Sequence, residues 1–239
     1  MPVLLLKVIA GSRLYGTDTP ESDTDHGEVW LEDLDSLFSL DPPGDMGQVV
    51  GEIDTQRHWF KKFMKLVVAG NPNVIEWLFA EGTRVLAEHE AFENIKGNIS
   101  HILGYEGLIR SHLGYAEQQV QKMCVLTGSW GAERKKLVEK YGYDTKFAMH
   151  AIRLLCQLQT LAKHGWIAYP YPDYLKDAFR EIRAGVLSKE DFLVMYEDAR
   201  KITKEKSVGL KDHFKEKADL AVVTDLMKGV YQHVYSGRF

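Results

Sequence analysis

Several things are scarce in this chain, and each absence removes a class of explanation. Cys124 and Cys156 are the only cysteines, and they lack metal-ligand spacing. A disulfide framework and a cysteine-held metal are therefore excluded, and both thiols are expected to be reduced and buried. No apolar run approaches the ~20 residues that a membrane span needs. The opening MPVLLLKVIAGS has too short an apolar stretch, and no charged leader, for a secretory signal. The cytoplasm is the expected location, with no membrane partner. Positive charge is also short: 30 Lys and Arg against 34 Asp and Glu give a net charge of −4. That balance argues against bulk nonspecific nucleic-acid binding and leaves room only for a local basic patch. His101, His112, His164 and the remaining histidines show no metal-ligand spacing. There is no internal repeat and no low-complexity stretch.

What is present is ordinary for a soluble globular protein, with 45% hydrophobic and 27% charged residues. A chain of 239 residues can bury a sizeable core, as one large or two small domains.

The informative stretch is GSRLYGTDTPESDTD, residues 11–25, which lies between an apolar run at Val3–Ala10 and another at Val29–Leu31. On an extended strand, side chains two residues apart share a face, so Asp23 and Asp25 present their carboxylates side by side. Adjacent carboxylates repel unless a cation lies between them, and hard oxygen ligands suit Mg²⁺ or Mn²⁺. Gly11 allows close backbone approach to a phosphate, and Ser12 offers a hydroxyl and an amide to phosphate oxygens. The plain alternative is a solvated Asp-rich turn. A calcium-binding loop is excluded because no glutamate closes one at the required spacing.

A third acid follows. VVGEIDTQ, residues 49–56, reads as one strand with Glu52 and Asp54 on the same face, so either can join Asp23 and Asp25. Three carboxylates can hold two Mg²⁺ ions roughly 3.5–4 Å apart, the arrangement used for in-line displacement at phosphorus.

The chain divides near residue 97. Before it, short strands mix with helices, including expected helices at 58–70 and Val74–Phe79, with DPPGDMG (41–47) as a surface turn. Asn71 and Pro72 stop the first helix, Asn73 caps the second, and Glu76 completes a capping box. After it the pattern is almost wholly helical: His101–Met123, Glu133–Lys140, Asp144–His164, Tyr174–Ala184, Lys189–Lys204 and Asp212–Tyr235. The expected fold is α+β: a catalytic module with a mixed sheet and helices over 1–97, then an all-helical bundle over 98–239.

Two helical stripes stand out. From Asp144, Lys146, His150, Arg153 and Gln157 share one face, while Phe147, Ala151, Leu154, Leu155 and Leu158 occupy the core side. Such a basic face meets either solvent or an anionic ligand in a cleft. Tyr115, Gln118, Gln119 and Lys122 form the second stripe, suited to stacking on a base and reading its edge, or to plain helix packing. Arg134, Lys135 and Lys136 make a short basic run of the kind usually found on a solvated face.

Four segments together resemble a known family: GSRLYGTDTPESDTDHGEVW (11–30), IDTQRHWFKKFMKLVVAGNPNVIEWL (53–78), HLGYAEQQVQKM (112–123) and YGYDTKFAMHAIRLL (141–155). They resemble the DNA polymerase β superfamily of nucleotidyltransferases, in its branch associated with RNA repair. The resemblance places the third acid at Asp54 rather than Glu52, because it falls a fixed distance before the Asn-Pro pair. His26 departs from it, standing where a small or aliphatic residue is common. The resemblance implies a metal-dependent transfer of a nucleoside monophosphate from a nucleoside triphosphate to an acceptor hydroxyl, with RNA as the acceptor. Asp23, Asp25 and Asp54 would be catalytic and would hold two Mg²⁺ or Mn²⁺ ions. Gly11, Ser12 and Arg13 would cradle phosphates, with Lys146, His150, Arg153 and Tyr115 as further nucleotide-binding candidates. Two alternatives stay open: an acceptor that is a protein or small molecule, and a non-catalytic nucleotide-binding protein.

Overall fold

The computed structural model describes residues 1–20, 22–37, 39–40, 47–50, 53–124 and 132–236. In chain order the elements are β1 (Val3–Ala10), α1 (Gly11–Tyr15), β2 (Thr24–Leu31), α2 (Leu34–Leu37), β3 (Gly47–Val50), β4 (Ile53–Trp59), α3 (Phe60–Val68), α4 (Pro72–Leu78), β5 (Val85–Glu88), α5 (Glu90–Gly97) and α6 (Ile99–Ile102). The helical half continues with α7 (Tyr105–Cys124), α8 (Ala132–Tyr141), α9 (Thr145–His164), α10 (Asp173–Arg183), α11 (Lys189–Lys206) and α12 (Leu220–Val234).

The five strands form one mixed sheet in the order β3-β4-β2-β1-β5. Only β2 and β4 run parallel; the other pairs are antiparallel. This is the α+β arrangement expected from the sequence, a sheet with helices followed by a helical half. One sheet face carries Val8 and Leu6 of β1 beside Gly27 and Val29 of β2. Helix α4 lies on that face, so closely that a Cβ at Gly27 would fall 2.4 Å from the Trp77 ring. Trp77 also stacks on Phe63 of α3 at 5.9 Å and on His58 at 5.4 Å. Phe63 and Trp77 are fully buried, and each contributes about 2–3 kcal/mol by leaving water.

Helix α9 is the axis of the helical half. Asp144 caps it, its carboxylate accepting from the amides of Lys146 (2.9 Å) and Phe147 (3.2 Å), and Gly165 ends it at φ 71°. Ala151, Leu154, Leu155, Leu158 and Leu161 are buried against α7, α10 and α11. The buried apolar residues form one continuous cluster from Leu6 and Val29 of the sheet to Leu155 of α9 and Phe192 of α11.

Four local expectations are corrected. VVGEIDTQ is not one strand: β3 and β4 pair antiparallel, with Val49 opposite Asp54 and Val50 opposite Ile53. Glu52, the competing third acid, and most of DPPGDMG lie outside the described residues. The helix expected from His58 begins at Phe60, because His58 and Trp59 are still paired with Val29 and Trp30 of β2. The cap of α4 is Asn71, whose side chain accepts from the Asn73 amide at 3.0 Å with Pro72 in the first turn, so Glu76 is freed from any capping box. Finally, the helix expected from Asp212 starts at Leu220, capped by Asp219. The segment before it is drawn away because the carbonyls of Lys215 and Glu216 accept from the amides of Tyr105 (3.0 Å) and Glu106 (3.2 Å) at the start of α7.

Candidate active site

The end of β1 and the start of β2 meet in register, with Ala10 opposite Asp25. On the other side of β2, Asp25 stands directly opposite Asp54 of the parallel strand β4. Neighbours paired across a parallel ladder project to the same face. The two acids therefore lie side by side on the face covered further along by α4. The chain turns out of β1 at Gly11 with φ 62°, a conformation that a side chain disfavours. The second reason for glycine is steric: a Cβ there would fall 2.0 Å from Oδ2 of Asp25. The α1 turn and the Asp25 carboxylate are thus in contact.

Electrostatics identify what surrounds Asp25. Its carboxyl is held above the ordinary range, first by burial, then by the negative charge of Asp54 and, more weakly, of Asp23. Lys146 and Arg13 pull in the opposite direction. Four residues singled out from sequence, Arg13, Asp23, Asp54 and Lys146, are therefore near enough to act on the fifth, Asp25. Asp23, Asp54 and Lys146 are exposed, and Asp25 is partly buried. Among the described residues, no three His, Cys, Asp or Glu side chains come together as a group that could hold a metal ion. The donors are nonetheless hard oxygens whose mutual repulsion raises Asp25, which is the chemistry a divalent cation would relieve.

Arg13 is occupied locally. Its guanidinium donates to the carbonyls of Ser22 (2.9 Å) and Asp23 (3.4 Å) and lies 3.7 Å from Asp18. It shapes the loop that presents Asp23.

The basic stripe of α9 does not remain a single face. Lys146 is exposed beside Asp25, but the His150 imidazole is held down to about 3 by burial and by the charges of Arg153, Lys146 and Arg183. It is a neutral ring. Arg153 and Gln157 are buried. Arg153 faces neither solvent nor cleft: its Nη1 lies 3.1 Å from Glu76 Oε2, and its guanidinium sits over the Tyr15 ring at 4.4 Å. The physical reason is the depth of α9, whose later turns are enclosed by α4, α7 and the Tyr169–Tyr171 segment. Tyr115 is likewise engaged, its hydroxyl accepting from Asn71 Nδ2 at 2.9 Å, so α7 is tied to the cap of α4.

Sequence reading missed the group formed by Tyr15, Glu76 and Arg153. Tyr15 OH donates to both oxygens of Glu76, at 3.0 and 2.9 Å. The available signal was local: Glu76 is flanked by Ile75 and Trp77, with Phe79 and Ala80 three and four residues on. Its partners are remote in the chain, and no spacing rule links them.

A family model described as the RNA repair pathway DNA polymerase beta family matches residues 2–217. The chain belongs to that family. The family is one of polymerase β type nucleotidyltransferases. An uncharacterized 38.9 kDa protein in the nrdC-mobD intergenic region of Enterobacteria phage T4 is 27% identical over 132 residues, covering 51% of this chain and 39% of the phage protein. The chain thus spans well under half the length of that relative. Among solved structures, the crystal structure of a nucleotidyltransferase-like protein from Exiguobacterium sibiricum 255-15 aligns with 97% of this chain and 72% of that one. Its sequence identity is 11% and its TM-score 0.29. No helix among the described residues is long and apolar enough to cross a membrane.

Proposed function

We propose that this protein transfers a nucleoside monophosphate from a nucleoside triphosphate to an acceptor hydroxyl, an RNA end, and releases pyrophosphate. The observation that carries the reading is the pairing of Asp25 with Asp54 across β2 and β4, with Gly11 pressed against the first. Asp23, Asp25 and Asp54 are the residues that would hold two Mg²⁺ or Mn²⁺ ions. When bound, such ions neutralise the carboxylates and supply positive charge to the phosphates.

The remaining chemistry belongs to the chain itself. Gly11 and Ser12 approach the β and γ phosphates, the first by lacking a side chain and the second by its amide and hydroxyl. Arg13 orders the loop bearing Asp23, and Lys146 offers an ammonium to the phosphates. The acceptor oxygen forms a bond to the α phosphorus as the bond from that phosphorus to the bridging oxygen breaks. The acceptor's proton passes to the Asp54 carboxylate, and pyrophosphate carries away the electron pair. This is catalysis by position and charge, with no covalent enzyme intermediate. Residues 1–97 supply the carboxylates and the turn, and residues 98–239 supply Lys146, so the site needs both halves.

Titration calorimetry with an α,β-methylene nucleoside triphosphate and Mg²⁺, repeated for each of the four bases, tests the reading. Wild-type protein is expected to bind at least one of them and Asp25→Asn to lose Mg²⁺-dependent binding. Equal binding by both proteins would refute the assignment.

A further inference from the structure

Behind the mouth of the site, Glu76 joins three elements in a space without solvent. Its carboxylate, buried at 4% exposure, accepts the single Tyr15 O–H proton, shared between its two oxygens, and a hydrogen bond from Arg153 Nη1. Tyr15 is the last residue of α1, the turn that begins with Gly11 and Ser12. Arg153 lies on α9 two turns beyond Lys146, about 10 Å along the helix. Glu76 itself belongs to α4, beside the Trp77 ring that fills the space over Gly27, two residues from Asp25. The same turn is tied again to the helical half, since the Tyr171 amide donates to the Tyr15 carbonyl (3.1 Å) and Arg180 Nη2 to the Gly16 carbonyl (3.0 Å).

Stability alone gives a poor reason for this group. A buried ion pair is often no better than well-packed apolar side chains of the same volume, because desolvation offsets the attraction. Burial dominates here too, pushing the Glu76 carboxyl up to about 7 against the pull of Arg153 and Tyr15. What the group does supply is direction. Two hydrogen-bond donors converging on one carboxylate fix where Tyr15 and Arg153 stand relative to each other, and apolar packing has no comparable angular preference.

We propose that Glu76 is a positioning residue: through Tyr15 and Arg153 it locks the Gly11–Tyr15 turn to α9 and so sets Ser12 and Lys146 at their working separation on either side of Asp25. The proposal rests on the nucleotidyl-transfer reading, in which Ser12 and Lys146 both hold the triphosphate. It extends that reading to a residue that touches neither substrate nor carboxylate cluster.

The test uses the full chain with Tyr15→Phe, which keeps the ring against Arg153 and removes the hydroxyl, and with Glu76→Gln, which keeps the shape and removes the charge. Three quantities are compared with wild type: melting temperature, affinity for the α,β-methylene triphosphate with Mg²⁺, and amide hydrogen exchange without ligand. The expected result is a loss of affinity of about tenfold or more in each variant, the size of a charge-assisted hydrogen bond. Exchange should quicken in residues 11–17 while the core of α9 stays near wild type. The melting temperature should hold near wild type in Tyr15→Phe and fall in Glu76→Gln, which leaves the Arg153 charge buried without its partner. Lys146→Ala should also cost less in the Tyr15→Phe background than alone, because its contribution depends on the lock. Unchanged affinity in both variants overturns the proposal and leaves the transfer reading standing. Loss of affinity in Tyr15→Phe with faster exchange throughout the chain and a lower melting temperature also overturns it, since the group is then only structural. Wild-type protein that binds no triphosphate defeats the transfer reading and this proposal with it.

Discussion

The α-carbon of Gly11 and the carboxylate of Asp25 occupy neighbouring space so closely that the first β-carbon of any side chain would fall 2.0 Å from Oδ2. Gly11→Ala must therefore either move the turn or turn the carboxylate away. The backbone penalty at positive φ adds about 1–2 kcal/mol. The variant is expected to unfold at lower urea than wild type and to lose triphosphate affinity beyond what its stability explains. Wild-type affinity in this variant would show that turn and carboxylate do not share a ligand.

Asp25 carries the repulsion of the site. Its carboxyl is raised by burial and then by Asp54 and Asp23, so neutral asparagine relieves a like-charge contact. Asp25→Asn should melt at or above wild type in chelator, and added Mg²⁺ should raise the wild-type melting temperature more than the variant's. A large drop in stability for the variant in chelator would contradict the electrostatic account.

In the proposed function, Ser12 and Lys146 approach the same anion from different halves of the chain. Ser12→Ala should weaken triphosphate binding by about 1.5–3 kcal/mol, the value of a hydrogen bond to a charged group. Lys146→Ala should also weaken it, with the melting temperature kept, because the side chain is exposed. Calorimetry on both variants decides. Wild-type affinity for Lys146→Ala would return this residue to a solvated role.

His112 sets a pH dependence separate from the site. It is fully buried, its Nδ1 donates to the Leu108 carbonyl at 2.8 Å, and burial holds its imidazole down to about 4. The folded value lies below the unfolded value of 6.5, so the unfolded chain binds the extra proton between them. Stability from this group is complete above pH 6.5 and falls as pH drops from there toward 4, by order 3 kcal/mol in all. Urea midpoints of wild type and His112→Asn at pH 7, 5.5 and 4.5 should converge as pH falls. Parallel pH profiles would show that His112 does not drive the loss.

Local rules were enough for much of this protein. The Gly-Ser turn and the α+β order were readable because turn chemistry and hydrophobic patterning act over a few residues, whereas Asp23, expected on the same strand as Asp25, lies just before β2. The span of α9, expected from Asp144 to His164, was equally plain. The boundaries that moved did so for tertiary reasons. His58 stays in a strand because Val29 pairs with it, and Lys215 leaves the helix because α7 needs its carbonyl. Arg153 shows the limit most clearly. Its helical spacing placed it on the face of Lys146, but a face is a direction and not a depth. Only the packing of α4 and Tyr15 around α9 reveals that its partner is Glu76 rather than a ligand.

The central claim is that the carboxylate pair of β2 and β4 serves transfer of a nucleotide. The most direct measurement supplies each α-³²P-labelled nucleoside triphosphate with Mg²⁺ and RNA to wild-type protein and to Asp54→Asn, then separates RNA, protein and small molecules. The account expects label on RNA with release of pyrophosphate by wild type, and none by the variant. Label on the protein or a small molecule would contradict the RNA acceptor, and no label on any acceptor would contradict the claim itself.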